Sequence, residues 1–225
     1  MKKIMFNEPY GLHAATLYGS KTMTRRIVPQ KIINAVPAYQ EMYYAQTLEH
    51  ISVEDAIMNM IGPEHMFNCA YKIGEVIAVA QSYRSIMMDD SLQDFRLETD
   101  FERIVSGWVY PNLKIASEKG YNNKMYVKAE LMPRQIEITD RKVERLHDIS
   151  KEDCLKEGIY YDEKGGCIVG IPFYYTFHGA INKRGKQLYY TTPKGAFADL
   201  IDRISGNNIW FDNPYVFAYT YKRIR

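Results

Sequence analysis

A short segment near the start of the chain carries the side chains best suited to chemistry. Lys21, Thr24, Arg25 and Arg26 follow closely after Gly19. A threonine hydroxyl becomes a useful nucleophile only beside a base. A lysine can be that base when burial or neighbouring cations lower its pKa from about 10.4 to about 7–8. Arginines bind phosphate through paired hydrogen bonds, so the segment indicates either an activated hydroxyl or an anion site.

The position of these side chains depends on the elements around them. A helix is predicted over residues 8–18, ended by Gly19, and a strand over residues 21–28. On a regular strand Lys21 and Thr24 would point to opposite faces, because side chains alternate. A turn at Gly19 or a β-bulge would have to bring them together.

A possible carboxylate partner lies on a later strand. Residues 135–139 alternate cleanly, so that Ile136 and Ile138 share one face and Glu137 the other. The simplest interpretation of Glu137 is an outward residue of an amphipathic strand. The simplest interpretation of Lys21, Thr24, Arg25 and Arg26 is likewise a solvated strand with local ion pairs.

The remaining pattern predicts an α+β protein. A continuously apolar strand is expected over residues 76–80, and a final strand over 215–222. Capping signals predict helices over 52–60 and 150–158, and Thr192-Pro193 begins another that Gly206 ends. Strands and helices do not alternate as in a βαβ series.

Three long segments interrupt this pattern, at about residues 30–70, 84–124 and 160–191, with one helix expected near residues 92–103. The third segment contains three tyrosine pairs, which predict hairpins around a Gly165-Gly166 turn. It also contains Lys183, Arg184 and Lys186. Two interpretations remain open: a hairpin packed on the main sheet, which is the simpler, or a stacking surface for single-stranded nucleic acid.

Composition excludes several classes of protein. The chain has 225 residues, of which 46% are hydrophobic and 25% charged, with a net charge of +2. These values are typical of a globular protein, and any basic site must be local. No apolar run approaches the roughly 18 residues of a membrane span. The short apolar stretch at the start of the chain is interrupted by Pro9 before it reaches the length of a signal-peptide core. A cytoplasmic location is therefore expected. The spacing of three cysteines and five histidines predicts neither disulfides nor a metal site, and we expect no cofactor.

The motif Gly-x-Lys-x-x-Thr-x-Arg, filled by Gly19, Lys21, Thr24 and Arg26, resembles the signature of the ASCH domain family in the PUA-like superfamily. Three further segments resemble the family in the same order, at residues 72–77, 136–149 and 196–224. The chain is most similar to the longer ASCH proteins of bacteriophages and prophages. The resemblance implies a PUA-like β pseudo-barrel with flanking helices, as a single domain over 1–225 with the three insertions.

The resemblance also implies two functions from different classes. The first is binding of RNA or a modified nucleotide in a basic cleft, with Lys21, Arg25 and Arg26 on phosphate. The second is an amidohydrolase acting on N4-acetylcytidine-type nucleosides, with Thr24 as nucleophile, Lys21 as base and Glu137 in support. A third possibility is a phage accessory protein without catalysis. Both of the first two expectations require the basic segment and the Glu137 strand to share one ligand-sized cavity.

Overall fold

The computed structural model describes residues 1–62, 65–98, 119–206 and 208–224. The strands are β1 (Lys2–Ile4), β2 (Met23–Ile27), β3 (Val76–Val79), β4 (Gln135–Arg145), β5 (Tyr160–Ile168), β6 (Ile171–Thr176) and β7 (Tyr215–Arg223). The helices are α1 (Leu12–Leu17), α2 (Gln30–Thr47), α3 (Val53–Asn59), α4 (Tyr83–Met87), α5 (Gln93–Glu98), α6 (Lys119–Asn122), α7 (Lys151–Lys156), α8 (Pro193–Ser205) and α9 (Ile209–Asp212). The prediction of an α+β protein is confirmed.

Five of the strands form a mixed sheet in the order β1-β3-β4-β7-β2. β1 runs parallel to β3, whereas the β3–β4 and β2–β7 pairs are antiparallel. In this order β1 and β2 occupy the two edges, so the sheet is not closed within the described residues. β5 and β6 form a separate two-stranded sheet.

The chain divides into two compact units. The first consists of residues 1–6, 75–137 and 222–225, and the second of residues 7–74 and 138–221. The single-domain assignment from the sequence stays a prediction.

The first unit has its own apolar core. Residues of β3 and α4 pack there against the short turns that precede β4, and the fully buried members include Ala78, Ala80 and Ile86. The continuous apolar run of β3 predicted this burial. The helix expected near residues 92–103 is present as α5, and residues 99–103 lie outside the described part of the chain.

The second unit contains α1, β2, α7, α8 and most of β7. α1 begins at Leu12 rather than Glu8, because Gly11 adopts a left-handed conformation (φ 66°) and ends the preceding turn. The Asn7 side chain caps that turn instead, accepting from the Tyr10 backbone N–H at 3.1 Å. α8 follows the prediction: the Thr192 side chain accepts from the Gly195 N–H, and Gly206 ends the helix with φ 68°.

α2 is the main element that the sequence pattern did not predict. It spans 18 residues with Pro37 inside it, and an internal proline normally argues against a helix because it removes one backbone hydrogen bond. Packing of Ile32 and Val36 into the core stabilises its first half. None of the helices in the described ranges combines the length and apolar character needed to cross a membrane.

The predicted hairpin of the third long segment is present, but its turn lies elsewhere. β5 continues through Gly165 and Gly166, and the chain turns at Val169 and Gly170, which have φ values of 51° and 79°. The expected Gly165-Gly166 turn is therefore wrong. Glycine is needed at 165 for a different reason: a Cβ there would lie 2.2 Å from the Phe173 carbonyl oxygen.

Candidate functional site

The predicted chemical segment forms β2, an edge strand whose two faces carry different side chains. Met23 and Arg25 point to one face, and Thr24 and Arg26 to the other, because side chains alternate along a strand. Lys21, just before the strand, is 1% exposed; Thr24 and Arg25 are 4% and 6% exposed. Arg26 is exposed. The solvated-surface interpretation therefore does not hold for Lys21, Thr24 or Arg25.

The Lys21 ammonium is bound by three acceptors. Its Nζ donates to Glu157 Oε2 at 2.5 Å, to the Glu157 carbonyl oxygen at 2.9 Å and to the Met23 carbonyl oxygen at 2.6 Å. An ammonium group has three N–H donors, so this geometry fits the charged form. Glu157 lies directly after α7, where it serves as the helix C-cap.

Arg25 extends this contact into a network. Its NH1 donates to Glu157 Oε1 at 2.9 Å, and its NH2 donates to Glu144 at 2.6 Å and to Asp153 at 3.2 Å. Lys142 completes the network by contacting Glu144 and Asp153, each at 2.9 Å. We call these residues the Glu157 network; its three cations and three carboxylates are Lys21, Arg25, Lys142, Glu144, Asp153 and Glu157.

Electrostatics favours the ionised state of the carboxylates. Burial alone would raise the pKa of Glu157, but the charges of Lys21 and Arg25 outweigh it and lower that pKa. Burial would likewise raise the pKa of Asp153, but Lys142 and Arg25 lower it overall. Burial lowers the pKa of Lys21, and the attraction of Glu157 offsets only part of that effect.

This arrangement stabilises structure better than it performs chemistry. A general base needs a free lone pair, whereas the Lys21 nitrogen is held between three acceptors. The carboxylates are likewise engaged by cations, and across the described ranges no three histidine, cysteine, aspartate or glutamate side chains are grouped to hold a metal ion. The Glu157 network therefore fixes β2 to α7 and β4.

The carboxylate predicted to support Lys21 has a different partner. Glu137 belongs to the first unit, where it forms an ion pair with Lys222 at 3.1 Å, and both side chains are partly exposed. The carboxylate that hydrogen-bonds Lys21 is Glu157, which the sequence pattern did not single out. The sequence did contain a signal for Glu157. Asp153 and Glu157 are four residues apart at the end of α7, and like charges at this spacing destabilise a helix unless cations from elsewhere neutralise them.

Two polar groups on the strands beyond β2, one on β7 and one on β4, lack hydrogen-bond partners among the described residues. Thr24 is paired with Tyr219 of β7, so their side chains lie side by side on the same face of the sheet. Tyr219 is 0% exposed, yet its hydroxyl has no hydrogen-bond partner among the described residues. The Nε of Arg141 on β4 is buried and lacks a partner in the same sense. We call Thr24, Arg26, Tyr71, Arg141 and Tyr219 the Tyr219 face.

The surroundings of Tyr219 are aromatic and cationic. The Tyr71 ring meets the Tyr219 ring edge to face, with centroids 5.3 Å apart. Burial raises the pKa of Tyr219 to about 12, with Cys69 acting in the same direction and Arg141 in the opposite one. The Tyr71 backbone lies near the hydroxyl, but not at hydrogen-bonding geometry. The Tyr219 hydroxyl is therefore a neutral group that could donate or accept.

Known proteins supply no function for this chain, since no protein-family model matches it and searches of curated proteins and of solved structures find no match. The chain can therefore be classified only by its own fold and by the geometry of its candidate site. It is an α+β chain with a buried ion-pair network beside one face of the edge strand β2, and with two buried polar groups, on β7 and β4, that lack hydrogen-bond partners among the described residues.

Proposed function

We propose that the chain binds RNA or a modified nucleotide at the Tyr219 face. The observation that carries this proposal is that two buried polar atoms, the Tyr219 hydroxyl and Arg141 Nε, lack hydrogen-bond partners within the described part of the chain. Leaving such a group unsatisfied costs about 1–3 kcal/mol. Native structures rarely retain two of them together unless a water, ion or ligand supplies the missing partners.

The chemistry of the Tyr219 face suits a nucleotide. No ion pair of the described residues includes Arg141, and its buried Nε lacks a hydrogen-bond partner there, so this group could bind a phosphate. The Thr24 and Tyr219 hydroxyls are buried, so this face must open for them to bond the polar edge of a base or a ribose; the Tyr71 ring beside them offers an aromatic surface.

The roles of the predicted phosphate contacts change in this proposal. Lys21 and Arg25 are engaged by carboxylates of the Glu157 network, so they act by holding β2 in place. Arg26 remains a phosphate contact, since it is exposed and lies on the same face as Thr24. Arg141 replaces Lys21 and Arg25 as a proposed phosphate contact.

We propose in addition that the chain is a member of the ASCH family and that its sheet forms a PUA-like pseudo-barrel. Their support is the order of elements: α1 leads directly into the edge strand β2 that carries the motif, and the last strand, β7, pairs with β2 in antiparallel register. The five-stranded sheet with flanking helices is compatible with such a barrel.

The proposal predicts that Arg141→Gln weakens nucleotide binding about 10- to 150-fold, the value of one hydrogen bond to a charged group. Cytidine 5′-monophosphate and cytidine are titrated into the protein by calorimetry. The loss is expected for the phosphorylated ligand and not for the nucleoside.

Arg84→Gln serves as the control, because Arg84 is an exposed arginine of the first unit. Equal weakening by Arg84→Gln and Arg141→Gln would contradict a site at the Tyr219 face. The absence of binding by the unmodified chain to both cytidine 5′-monophosphate and RNA would overturn the proposed function.

The amidohydrolase implied by the resemblance is the second candidate, and the three acceptors on the Lys21 ammonium argue against Lys21 as its base. Its test is release of acetate from N4-acetylcytidine by the unmodified chain, by Thr24→Ser and by Thr24→Val. A threonine nucleophile predicts that the serine variant retains turnover and the valine variant loses it. Turnover no faster than in buffer would exclude this activity, and the accessory-protein alternative remains if binding fails as well.

A further inference from the structure

We propose that the chain has a second contact surface, which binds single-stranded nucleic acid and consists of a tyrosine hairpin and a basic turn. The tyrosine hairpin is β5 with β6, and the basic turn is residues 182–186. This inference rests on the proposed function and extends it from one nucleotide at the Tyr219 face to a strand.

The basic turn is closed by hydrogen bonds of Asn182 and presents three cations. The Asn182 N–H donates to the Lys186 carbonyl oxygen at 2.9 Å, and the Asn182 side chain accepts from the backbone N–H groups of Arg184 and Lys186 at 2.8 and 3.0 Å. Gly185 completes the turn with φ 74°. The side chains of Lys183, Arg184 and Lys186 are all exposed as a result.

The positive charge of this turn is not neutralised by the protein. No ion pair of the described residues includes Lys183, Arg184 or Lys186. Since the whole chain has a net charge of only +2, three adjacent cations form a local positive site. Such a site is complementary to a phosphate backbone.

The turn is attached directly to the tyrosine hairpin. Gln187 Nε2 donates to the Thr176 hydroxyl at 2.5 Å and to the Phe177 carbonyl oxygen at 3.1 Å. Tyr190 pairs with Tyr175 through two backbone hydrogen bonds of 3.1 and 2.8 Å. The backbone that follows the basic turn is therefore bonded to the end of β6.

The hairpin offers aromatic surface to solvent. Tyr161 is 55% exposed, although its ring lies 5.2 Å from the Tyr174 ring and 5.8 Å from the Tyr175 ring. Tyr160 is 42% exposed. A base can stack on such rings whatever its sequence.

These features favour a single strand over other anionic partners. In a duplex the bases are already stacked, whereas a single strand can place bases on tyrosines and phosphates on nearby cations.

The test measures binding of a fluorescein-labelled oligouridylate of about 12 nucleotides over a series of salt concentrations. Replacing Lys183, Arg184 and Lys186 together by glutamine is expected to reduce the slope of log K against log salt by about 2, since each phosphate contact contributes about 0.7. Tyr161→Ala is expected to weaken binding about tenfold, whereas Tyr161→Phe, which keeps the ring, retains it. A control triple variant with equal charge change is Lys31→Gln, Arg84→Gln and Lys151→Gln.

The outcomes separate this inference from the proposed function. The inference predicts that variants of the hairpin and of the turn bind the oligonucleotide more weakly and bind cytidine 5′-monophosphate with unchanged affinity. If the turn variant and the control triple variant have the same salt slope while Arg141→Gln still weakens the mononucleotide, the second surface is refuted and the Tyr219 site stands. Binding of duplex RNA as tightly as the single strand, or of phosphatidylserine vesicles in place of RNA, would also overturn it.

Discussion

Glu157→Gln is expected to destabilise the folded chain by about 3–5 kcal/mol, the usual cost of removing one partner from a buried ion pair. Glutamine preserves the shape of the side chain but removes its charge. Lys21 and Arg25, both almost fully buried, would then lose the carboxylate that they share. Few single substitutions in this chain should have a larger effect on its stability.

Urea unfolding at neutral pH measures this loss, with Glu163→Gln as the control. Glu163 is exposed on β5, so its replacement should change the free energy of unfolding by less than about 0.5 kcal/mol. A loss below about 1 kcal/mol for Glu157→Gln would show that the network does not stabilise β2.

Acid should unfold the chain through the same network. The folded-state pKa values of Glu157 and Asp153 lie below their ordinary values of about 4. A carboxylate whose pKa is depressed on folding contributes stability above its unfolded pKa, and that stability is lost as the pH falls through the folded pKa. We therefore expect the free energy of unfolding to decline steadily below about pH 4.

The measurement is urea unfolding at several pH values between about 7 and 2. Asp153→Asn should be less stable at neutral pH and should show a shallower decline in acid, because one of the titrating groups is missing. The Glu163→Gln control should follow the unmodified chain. A free energy of unfolding that stays constant from about pH 5 to pH 2 would contradict depressed pKa values.

Local signals in the sequence predicted much of the fold. The capping residues Ser150 and Thr192 begin α7 and α8 as expected, because a cap is a contact between residues three apart. The alternation of residues 135–139 and the apolar run of β3 likewise identified strands, since burial of one or both faces leaves a direct pattern.

The failures have a common physical cause, which is contact between distant residues. α2 contains Pro37 and is stabilised by packing that no local rule describes. The partner of Lys21 lies 136 residues away at Glu157, and the choice between Glu137 and Glu157 depends on tertiary structure.

The candidate site was predicted in part. Alternation predicted that Lys21 and Thr24 would point to opposite faces of a regular strand, but it could not show that the buried cations would be neutralised by carboxylates. Arg141 and Tyr219 were not singled out, because the proposal places them in the site on account of hydrogen bonds that they do not make with the described residues. That property depends on how β4 and β7 pack against their surroundings.

The central claim is that the Tyr219 face binds a nucleotide. It is tested most directly by measuring the free energy of unfolding and the nucleotide affinity of Tyr219→Phe. Removing an unsatisfied buried hydroxyl should leave the free energy of unfolding unchanged or raise it slightly. Affinity for cytidine 5′-monophosphate should fall several-fold, because the ligand loses one hydrogen bond. The opposite pattern, a less stable chain that binds the nucleotide as tightly as before, would show that the hydroxyl serves the fold and would contradict the claim.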